Sequence, residues 1–443
     1  MSRMSKRDVL KKADELNVKF VRLQFVDILG IIKNVAITID QLETALNGEI
    51  MFDGSSIEGF TRIHESDMYL KPDYDTFAIF PWHKEEGSIA RLMCDVYTPE
   101  GEPFIGCPRT TLKKVIKEAE EMGYEMHAGP EPEFFLFEKD NDGNPTTITN
   151  DNGGYFDLSP VDLGEKARRD IVLALQEMDF EVEASHHEVA PGQHEIDFKY
   201  TPVLQTADNV ATFKFVTKRI AMEHNLHATF MPKPIFGENG SGMHVHQSLF
   251  KDGKNAFYDP EDELGLSEIA YHYIGGLLKH SKAFTAITNP IINSYKRLLP
   301  GYEAPVYITW STQNRSALVR VPSARKDATR LELRNPDPSA NPYLAMAVTL
   351  KAGLDGIKNE IDPGEQTTDN IFDLDSIERQ QRGIDSLPGD IMKAVEYLNN
   401  DKVIKDTLGQ HIYEHFVVAK EVEWHEYGTK VHNWELDQYL MKY

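Results

Sequence analysis

The chain has 443 residues, enough for two domains and a large hydrophobic core. Its formal net charge of −24 argues against direct nucleic-acid binding, because nucleic acids bind to surfaces rich in Lys and Arg. Two cysteines, Cys94 and Cys107, are too few for a disulfide framework and predict a reduced, cytoplasmic protein. No apolar run approaches the roughly 18–20 residues that cross a bilayer, and residues 1–7 carry no hydrophobic signal core, so we expect no membrane association.

The first hundred residues predict a small, mostly antiparallel unit. Its predicted elements are a helix at 5–16, strands at 20–25 and 31–37, and strands at 76–82 and 88–95. The turn at residues 27–30 predicts a hairpin between the first two strands. A boundary near residues 103–108 divides the chain into domains of residues 1–105 and 106–443.

The remaining chain predicts helices that alternate with strands. The predicted helices lie at 109–122, 162–178, 203–225, 266–287 and 341–358, and an amphipathic helical tail follows from about 389 to 443. A close Pro-Gly turn at Pro191 and Gly192 indicates an antiparallel or mixed sheet. The predicted fold class is therefore α+β, with a large α/β unit following the small N-terminal one.

The strand pattern at residues 129–137 carries two carboxylates, Glu131 and Glu133, at positions that share one face. Two carboxylates aimed into an interior repel each other and lose hydration unless a cation neutralises them. Three later strand-like segments also place polar groups on one face, and they contribute Glu188 with Glu195, His244 with His246 and Ser248, and Arg330 with Glu332 and Arg334. The pattern predicts a cleft filled by metal ions and anions.

Each segment alone has a simpler explanation, such as a solvated face, a hydrogen-bonded core histidine or an exposed edge with cross-strand ion pairs. The segments together favour a metal site. Five carboxylates and one imidazole have the number and type of ligands that suit two divalent ions, namely Glu131, Glu133, Glu188, Glu195, His244 and Glu332. Oxygen-rich ligand sets select Mg²⁺ or Mn²⁺.

The glycine cluster at residues 237–242 joins two strand-like pieces, so it is not a dinucleotide-binding fingerprint, which needs a following helix. No Walker-type phosphate loop is present either. A plain β-turn and a close approach of the backbone to a small ligand both remain open for this cluster.

Four motifs resemble those of the class I bacterial glutamine synthetases, and the resemblance covers essentially the whole chain. They are Asp53-Gly54-Ser55-Ser56, residues 129–134, the run from Lys233-Pro234 to Gly240-Ser241-Gly242-Met243-His244, and Asn314-Arg315-Ser316. The short length and Arg62 are similar to the Bacillus-type subgroup. The resemblance implies a β-grasp domain, a catalytic domain on a mostly antiparallel sheet, and a dodecamer of two hexameric rings with active sites between subunits.

The implied activity is that of a glutamate–ammonia ligase of nitrogen metabolism, which uses ATP to make γ-glutamyl phosphate and then glutamine. The resemblance assigns one Mg²⁺ or Mn²⁺ to Glu133, Glu188 and Glu195. It assigns the other ion, on the ATP phosphates, to Glu131, His244 and Glu332.

The resemblance also assigns substrate contacts. Glutamate is assigned to Asn239, Gly240, Arg297, Glu303, Arg315 and Arg334, and ATP to Glu183, Tyr200, His246, Ser248, Arg315, Arg320 and Arg330. Asp53, from a neighbouring subunit, is implied to bind ammonium and accept its proton, with Glu303 on a closing flap and Arg315 completing the catalytic group. From the residues alone, each arginine could form a surface ion pair, Asp53 could cap a turn and Glu303 could be a solvated loop acid.

Regulation is expected to be non-covalent. The adenylylated branch of the family carries a tyrosine where this chain has Phe372, and phenylalanine has no hydroxyl to accept AMP. Arg62 stands just past the Asp53 loop, where a cation could pair with Glu303 or respond to bound glutamine, so it is the candidate for glutamine feedback inhibition, with a solvated arginine as the alternative. The resemblance makes nitrogen-regulatory transcription repressors candidate partners. Three alternatives are a ligase for polyamines or alkylamines, a non-catalytic relative and a metal-dependent hydrolase. The intact Asp53 motif argues against the polyamine or alkylamine ligase. The six metal ligands argue against the non-catalytic relative, and the arginine set argues against the hydrolase.

Overall fold

The computed structural model describes residues 3–55, 57, 59, 67–82, 87–302, 304–369 and 371–443, with backbone alone at residue 376. The first unit comprises α1 (Lys6–Glu15), β1 (Val18–Val26), β2 (Ile32–Thr38), α2 (Leu42–Leu46), β3 (Ile50–Asp53), β4 (Asp67–Pro72), β5 (Ala78–Ile79) and β6 (Ser88–Tyr97). Its sheet has the order β2-β1-β6-β4-β3, with β5 paired to β6. The pair β1–β6 is parallel and the other pairs are antiparallel.

The predicted hairpin at the start of the chain is confirmed, because β1 and β2 are antiparallel partners from Phe20↔Thr38 to Val26↔Ile32. The predicted strand at 76–82 is wrong for most of its length. Tyr74–Thr76 forms a 3-10 turn, which is held by a 2.6 Å hydrogen bond from the Thr76 hydroxyl to the Asp73 carbonyl, and only Ala78–Ile79 pairs as a strand.

The second unit carries a larger mixed sheet. Its strands are β7 (Glu125–Lys139), β8 (Pro145–Thr149), β9 (Val182–His187), β10 (Gln193–Phe198), β11 (Thr201–Pro202), β12 (Leu226–Thr229), β13 (Met243–Lys251), β14 (Lys254–Asn255), β15 (Tyr307–Ser311), β16 (Ala317–Arg320), β17 (Leu331–Leu333) and β18 (Asp385–Ser386). The central order is β18-β15-β16-β17-β13-β7-β10-β9. Among the described pairs, β15–β16 is parallel and the others are antiparallel, as predicted.

The described helices of the second unit are α3 (Pro108–Glu121), α4 (Glu165–Gln176), α5 (Val203–Glu223), α6 (Glu268–Thr288), α7 (Ser294–Arg297), α8 (Pro342–Lys358), α9 (Ser376–Gln381), α10 (Ile391–Asn400), α11 (Lys402–Gly428) and α12 (Asn433–Tyr439). Of these, α3, α4, α5 and α6 pack against strands of the sheet, and α8 packs on α3, α5 and α6. The five long helices predicted before the tail are all present with shifts of a few residues. Asn341 begins α8 by accepting hydrogen bonds from two backbone N–H groups, and α11 is interrupted at Gly409, where φ is 71°.

A buried arginine joins the two units. Arg109, in the first turn of α3, contacts Asp73 at 2.7 Å and Asp95 at 2.9 Å in the first unit, and Asp208 of α5 at 2.9 Å. Three carboxylates around one guanidinium fix the N-terminal sheet against the catalytic unit.

Within the described ranges, no helix is both long and apolar enough to cross a membrane.

Candidate active site

The candidate site is built around β7. His244 of β13 is the cross-strand partner of Glu131, and Glu195 of β10 is the partner of Glu133. Because β13 and β10 lie on opposite sides of β7, Glu131 is paired with a residue of one strand and Glu133 with a residue of the other. The six predicted metal ligands therefore divide into a histidine set (Glu131, His244, Glu332) and a carboxylate set (Glu133, Glu188, Glu195).

The histidine set brings its donor atoms close together. Nδ1 of His244 lies 3.5 Å from Oε2 of Glu131 and 3.6 Å from Oε1 of Glu332. One ligand atom from each of the three residues lies within 4.8 Å of the others, a spacing that suits a single ion. The predicted grouping of these three residues agrees with this geometry.

Side chains of the protein already donate hydrogen bonds to the carboxylates of Glu131 and Glu332 in the histidine set. Nε2 of His246 lies 2.7 Å from Oε1 of Glu131, while Glu332 accepts hydrogen bonds from Nε of Arg320 and, at 3.0 Å, from Nε of Arg334. Burial pushes the pKa of Glu131 upward, but the hydrogen bonds with His244 and His246 outweigh it and hold this pKa well below its usual range. The pKa of Glu332 is also lowered, since the histidines and arginines outweigh burial.

The carboxylate set has the opposite electrostatics. Glu133 and Glu195 are buried, and burial together with neighbouring carboxylates raises the pKa of both groups well above its ordinary value. Glu188 is among the neighbours that raise both of these pKa values. Gln193 donates its amide Nε2–H to Oε2 of Glu133 at 2.8 Å. This set is therefore a concentration of partly desolvated negative charge.

Two further side chains that were not predicted from the sequence, His186 and Asp197, join the carboxylate set. Nε2 of His186 lies 3.2 Å from Oε1 of Glu195, and its Nδ1 lies 3.5 Å from Oε1 of Glu188. Burial and the charge of Glu131 raise the pKa of Asp197 to about 7. The alternation of side chains along strands could have predicted both residues. Asp197 is two positions after Glu195 and His186 is the cross-strand partner of Glu195, so all three lie on one face of the sheet.

By donor type both sets suit divalent cations such as Mg²⁺ or Mn²⁺, but among the described residues only the histidine set, and not Glu133, Glu188 and Glu195 together, has all its donor atoms within 4.8 Å of one another. Their donors are carboxylate oxygens with one imidazole, and the raised pKa values in the carboxylate set mark a place where positive charge is lacking. Among the described residues, His186, Glu195 and Asp197 also form a group close enough for a single ion.

Two of the predicted glutamate contacts, Arg297 and Gly240, lie beside the carboxylate set, while Arg334 contacts Glu332 of the histidine set. The guanidinium of Arg297 is buried and donates to the backbone carbonyls of Asn335 at 2.8 Å and Arg334 at 3.2 Å. The carbonyl of Gly240 accepts a 3.2 Å hydrogen bond from the Gln193 amide that also contacts Glu133. Asn239 directly precedes Gly240 in this loop and is half-buried.

Gly240 and Gly242 of this loop are required by close packing within the chain. A Cβ at position 240 would lie 2.3 Å from the carbonyl oxygen of Pro232, and one at position 242 would lie 2.5 Å from Nη2 of Arg297. A larger residue would therefore displace either the backbone or the buried arginine.

The predicted ATP contacts lie around β13 and β11. His246 receives a 3.2 Å hydrogen bond from Nε of Arg330. Ser248 is the cross-strand partner of His127, and the His127 ring lies 5.8 Å from that of Tyr200, which is exposed. Glu183 lies on β9, where its charge acts on Lys199, the residue before Tyr200.

The remaining predicted residues are more dispersed. Asp53 ends β3, the last strand in the order of the N-terminal sheet, and accepts a 2.8 Å hydrogen bond from the Ser55 backbone N–H. Arg315 is exposed and contacts Tyr155, whose pKa is raised by burial and by the charge of Glu188. Glu303 and Arg62 lie outside the described residues.

Two family models match the chain. The model described as "Glutamine synthetase, beta-Grasp domain" matches residues 17–99, and the one described as "Glutamine synthetase, catalytic domain" matches residues 105–439. The predicted order of a β-grasp domain and a catalytic domain is thus confirmed.

Curated relatives named glutamine synthetase span the whole chain. The protein from Clostridium saccharobutylicum is 60% identical over 100% of both chains, and that from Staphylococcus aureus strain N315 is 57% identical over 99% of both. Among solved structures, a GmaS chain in complex with ADP has a TM-score of 0.89 at 33% identity, covering 98% of this chain and 99% of that one. A Plasmodium falciparum glutamine synthetase has a TM-score of 0.89 at 26% identity over 99% of both chains. With a catalytic-domain match over most of its length and full-length relatives at 57–60% identity, the chain belongs to the glutamine synthetase family.

Proposed function

We propose that this chain joins ammonia to the side-chain carboxylate of L-glutamate, using ATP and two divalent ions, and releases L-glutamine, ADP and phosphate. The observation that carries the proposal is the arrangement of two ligand sets on either side of β7, beside the buried arginines Arg297 and Arg334. Dense positive charge beside carboxylate ligands is what phosphoryl transfer between two anions requires.

Transfer of the ATP γ-phosphoryl group to glutamate gives γ-glutamyl phosphate and ADP, and attack by ammonia then releases phosphate. The carboxylate set would hold one Mg²⁺ or Mn²⁺ and the histidine set the other. When bound, such ions neutralise the phosphate oxygens and favour in-line transfer. Ammonium itself has no lone pair, so a base must take its proton before the attack.

We assign the substrates to the arginines and to Tyr200. Arg297 and Arg334 bind the carboxylates of glutamate, since a guanidinium matches a carboxylate with two parallel hydrogen bonds. Arg315, Arg320 and Arg330 bind the phosphate side of ATP. The exposed ring of Tyr200 provides a stacking surface for adenine.

Asp53 is proposed to receive the ammonium proton from a position in a neighbouring subunit. This assignment is supported by its place on the edge strand β3 and by the family's ring assembly, which we propose as a dodecamer. Glu303 is proposed to close over the intermediate and exclude water, which would otherwise hydrolyse the acyl phosphate. A Glu303→Ala variant should then use more ATP per glutamine formed, and unchanged coupling at an unchanged rate would contradict the flap role.

Regulation is proposed to act through ligands. We assign Arg62 to glutamine feedback and propose nitrogen-regulatory transcription repressors as partners. We also propose that the protein lies in the cytoplasm and that its domain boundary falls between residues 105 and 106. Arg62→Ala should remain active and lose sensitivity to added glutamine. Equal inhibition of the parent and this variant would reject the assignment.

Phosphate release tests the reaction itself. Release should require ATP, glutamate and Mg²⁺ or Mn²⁺ together, should rise with ammonium and should be matched by glutamine. The second candidate is a ligase for alkylamines or polyamines, which would use the same metals and arginines and differ in the ammonium pocket. Putrescine or methylamine replacing ammonium at equal or higher rates would favour that candidate.

A further inference from the structure

A buried network lies behind the carboxylate set. His187 and His194 are cross-strand partners on β9 and β10, and their rings meet edge to face with centroids 4.9 Å apart. Each histidine directly precedes a proposed ligand, Glu188 or Glu195. Because side chains alternate across a strand, His194 points away from the face on which Glu195 lies.

Asp151 fixes His187 from behind. Oδ1 of Asp151 lies 3.1 Å from Nε2 of His187, and Nδ1 of His187 lies 2.6 Å from the carbonyl oxygen of Glu188. The same Oδ1 accepts a 2.8 Å hydrogen bond from the Gly192 backbone N–H, in the turn between β9 and β10. One buried carboxylate therefore connects the residue before Glu188 to the turn after it.

Arg168 fixes His194. In α4, which packs behind the hairpin, Nη1 of Arg168 lies 2.9 Å from Nδ1 of His194 and 2.8 Å from Oδ2 of Asp162. A guanidinium only donates hydrogen bonds, so Nδ1 of His194 is the acceptor and its Nε2 carries the ring hydrogen.

Asp151, Asp162, His187 and His194 carry ligand atoms that lie within 4.8 Å of one another, so the type and spacing of these atoms could suit a third metal ion. Two observations argue against an ion. Arg168 already supplies a cation beside Asp162, and the hydrogen on Nε2 of His194 prevents that nitrogen from binding a metal.

We propose that Asp151, acting through His187, and Arg168, acting through His194, are positioning residues that hold Glu188 and Glu195 in the arrangement that binds the metal. The proposal rests on the assignment of these two glutamates as ligands in the proposed function. Outer partners of metal ligands typically change metal affinity by about 10–100-fold, because they restrict the orientations of the ligands.

Metal titration tests the proposal independently of activity. Metal-stripped parent protein, Asp151→Asn and Asp208→Asn are titrated with Mn²⁺, and free Mn²⁺ is measured by electron paramagnetic resonance. Asp208 is the matched control, because it is also a buried carboxylate but pairs with Arg109. Asp151→Asn should weaken one of two Mn²⁺ sites by about 10–100-fold and leave the other unchanged. Its kcat at saturating Mn²⁺ should change much less, and Asp208→Asn should leave both affinities unaltered.

Unchanged Mn²⁺ affinity in Asp151→Asn, or the same weakening in Asp208→Asn, would overturn the positioning role. A third Mn²⁺ that the parent binds and Asp151→Asn loses would also overturn it, since the network would then be a metal site. If Asp151→Asn does not fold, Asp162→Asn tests the Arg168 half by the same criteria. A parent protein that binds no Mn²⁺ would instead contradict the proposed function, so the two failures can be told apart.

Discussion

The two ligand sets lie on either side of one strand, yet their charges are balanced in opposite ways. In the histidine set, His246 contacts Glu131 while Arg320 and Arg334 contact Glu332, and the pKa values of both glutamates are lowered. In the carboxylate set, burial and neighbouring acids raise the pKa values of Glu133 and Glu195.

This difference indicates where the balancing charge comes from. The chain itself supplies two arginines and hydrogen-bonding histidines to the histidine set, so its geometry can persist without metal, which suits an ion that arrives with the ATP phosphates. Arg297 only partly offsets the charge of the carboxylate set, so the remaining positive charge must come from solution, either as a divalent ion or as protons. Metal and protons therefore compete for the carboxylate set.

The strongest effect that we expect is on activity. Glu133→Gln removes one negative ligand from the carboxylate set while keeping the shape of the side chain. We expect glutamine formation to fall by more than about 100-fold, beyond the 10–100-fold range typical of outer partners, with the fold intact by circular dichroism. Normal turnover of this variant with Mg²⁺ or Mn²⁺ would show that the two-metal assignment is wrong.

A comparison of unfolding free energies without metal would test the electrostatic contrast directly. Glu332→Gln removes the carboxylate that pairs with Arg320 and Arg334 among the described residues and should destabilise the metal-free protein by about 3 kcal/mol, as removal of one member of a buried ion pair does. Glu133→Gln removes a repelled carboxylate and should leave stability unchanged or slightly higher. Urea unfolding in EDTA measures both variants, and equal destabilisation would contradict the contrast.

The weakest effect that we expect is a pH dependence of stability. The raised pKa values of Glu133 and Glu195 mean that the folded, metal-free protein holds more protons than the unfolded chain above the usual glutamate pKa of about 4.3. Their contribution to stability should therefore fall as pH rises from that value through the raised folded pKa values. The loss should be about 1.4 kcal/mol for each tenfold difference in proton affinity between the folded and unfolded chains.

Mg²⁺ binding to the ionised carboxylates should reverse this trend. Unfolding free energies measured across the same pH range, with EDTA and with Mg²⁺, check the sign for the parent and for Glu133→Gln, in which the slope should be smaller. An EDTA curve for Glu133→Gln that is identical to the parent's would remove Glu133 as its cause. Glu131 and Glu332 act in the opposite sense, since their stabilising contribution is lost only as pH falls through their lowered pKa values.

Local sequence patterns were enough to predict most of the elements and the faces of the strands. Period-two alternation predicted that Glu131 and Glu133 share a face, and the Pro-Gly turn predicted the hairpin that carries Glu188 and Glu195. These predictions succeed because side-chain direction follows from local backbone geometry. The strand predicted at 76–82 failed because the Thr76 hydroxyl bonds to a backbone carbonyl three residues earlier and favours a turn.

Which charges meet depends instead on the tertiary structure. His246 and Glu131 are 115 residues apart, and the Gln193 amide that contacts Glu133 is 60 residues away from it. No local pattern specifies that β13 and β10 lie on opposite sides of β7, because strand order depends on how the whole sheet packs against its helices. Neighbouring carboxylates of one strand thereby acquired opposite pKa shifts, since a pKa is set by the charges and burial around a group and not by its position in the chain.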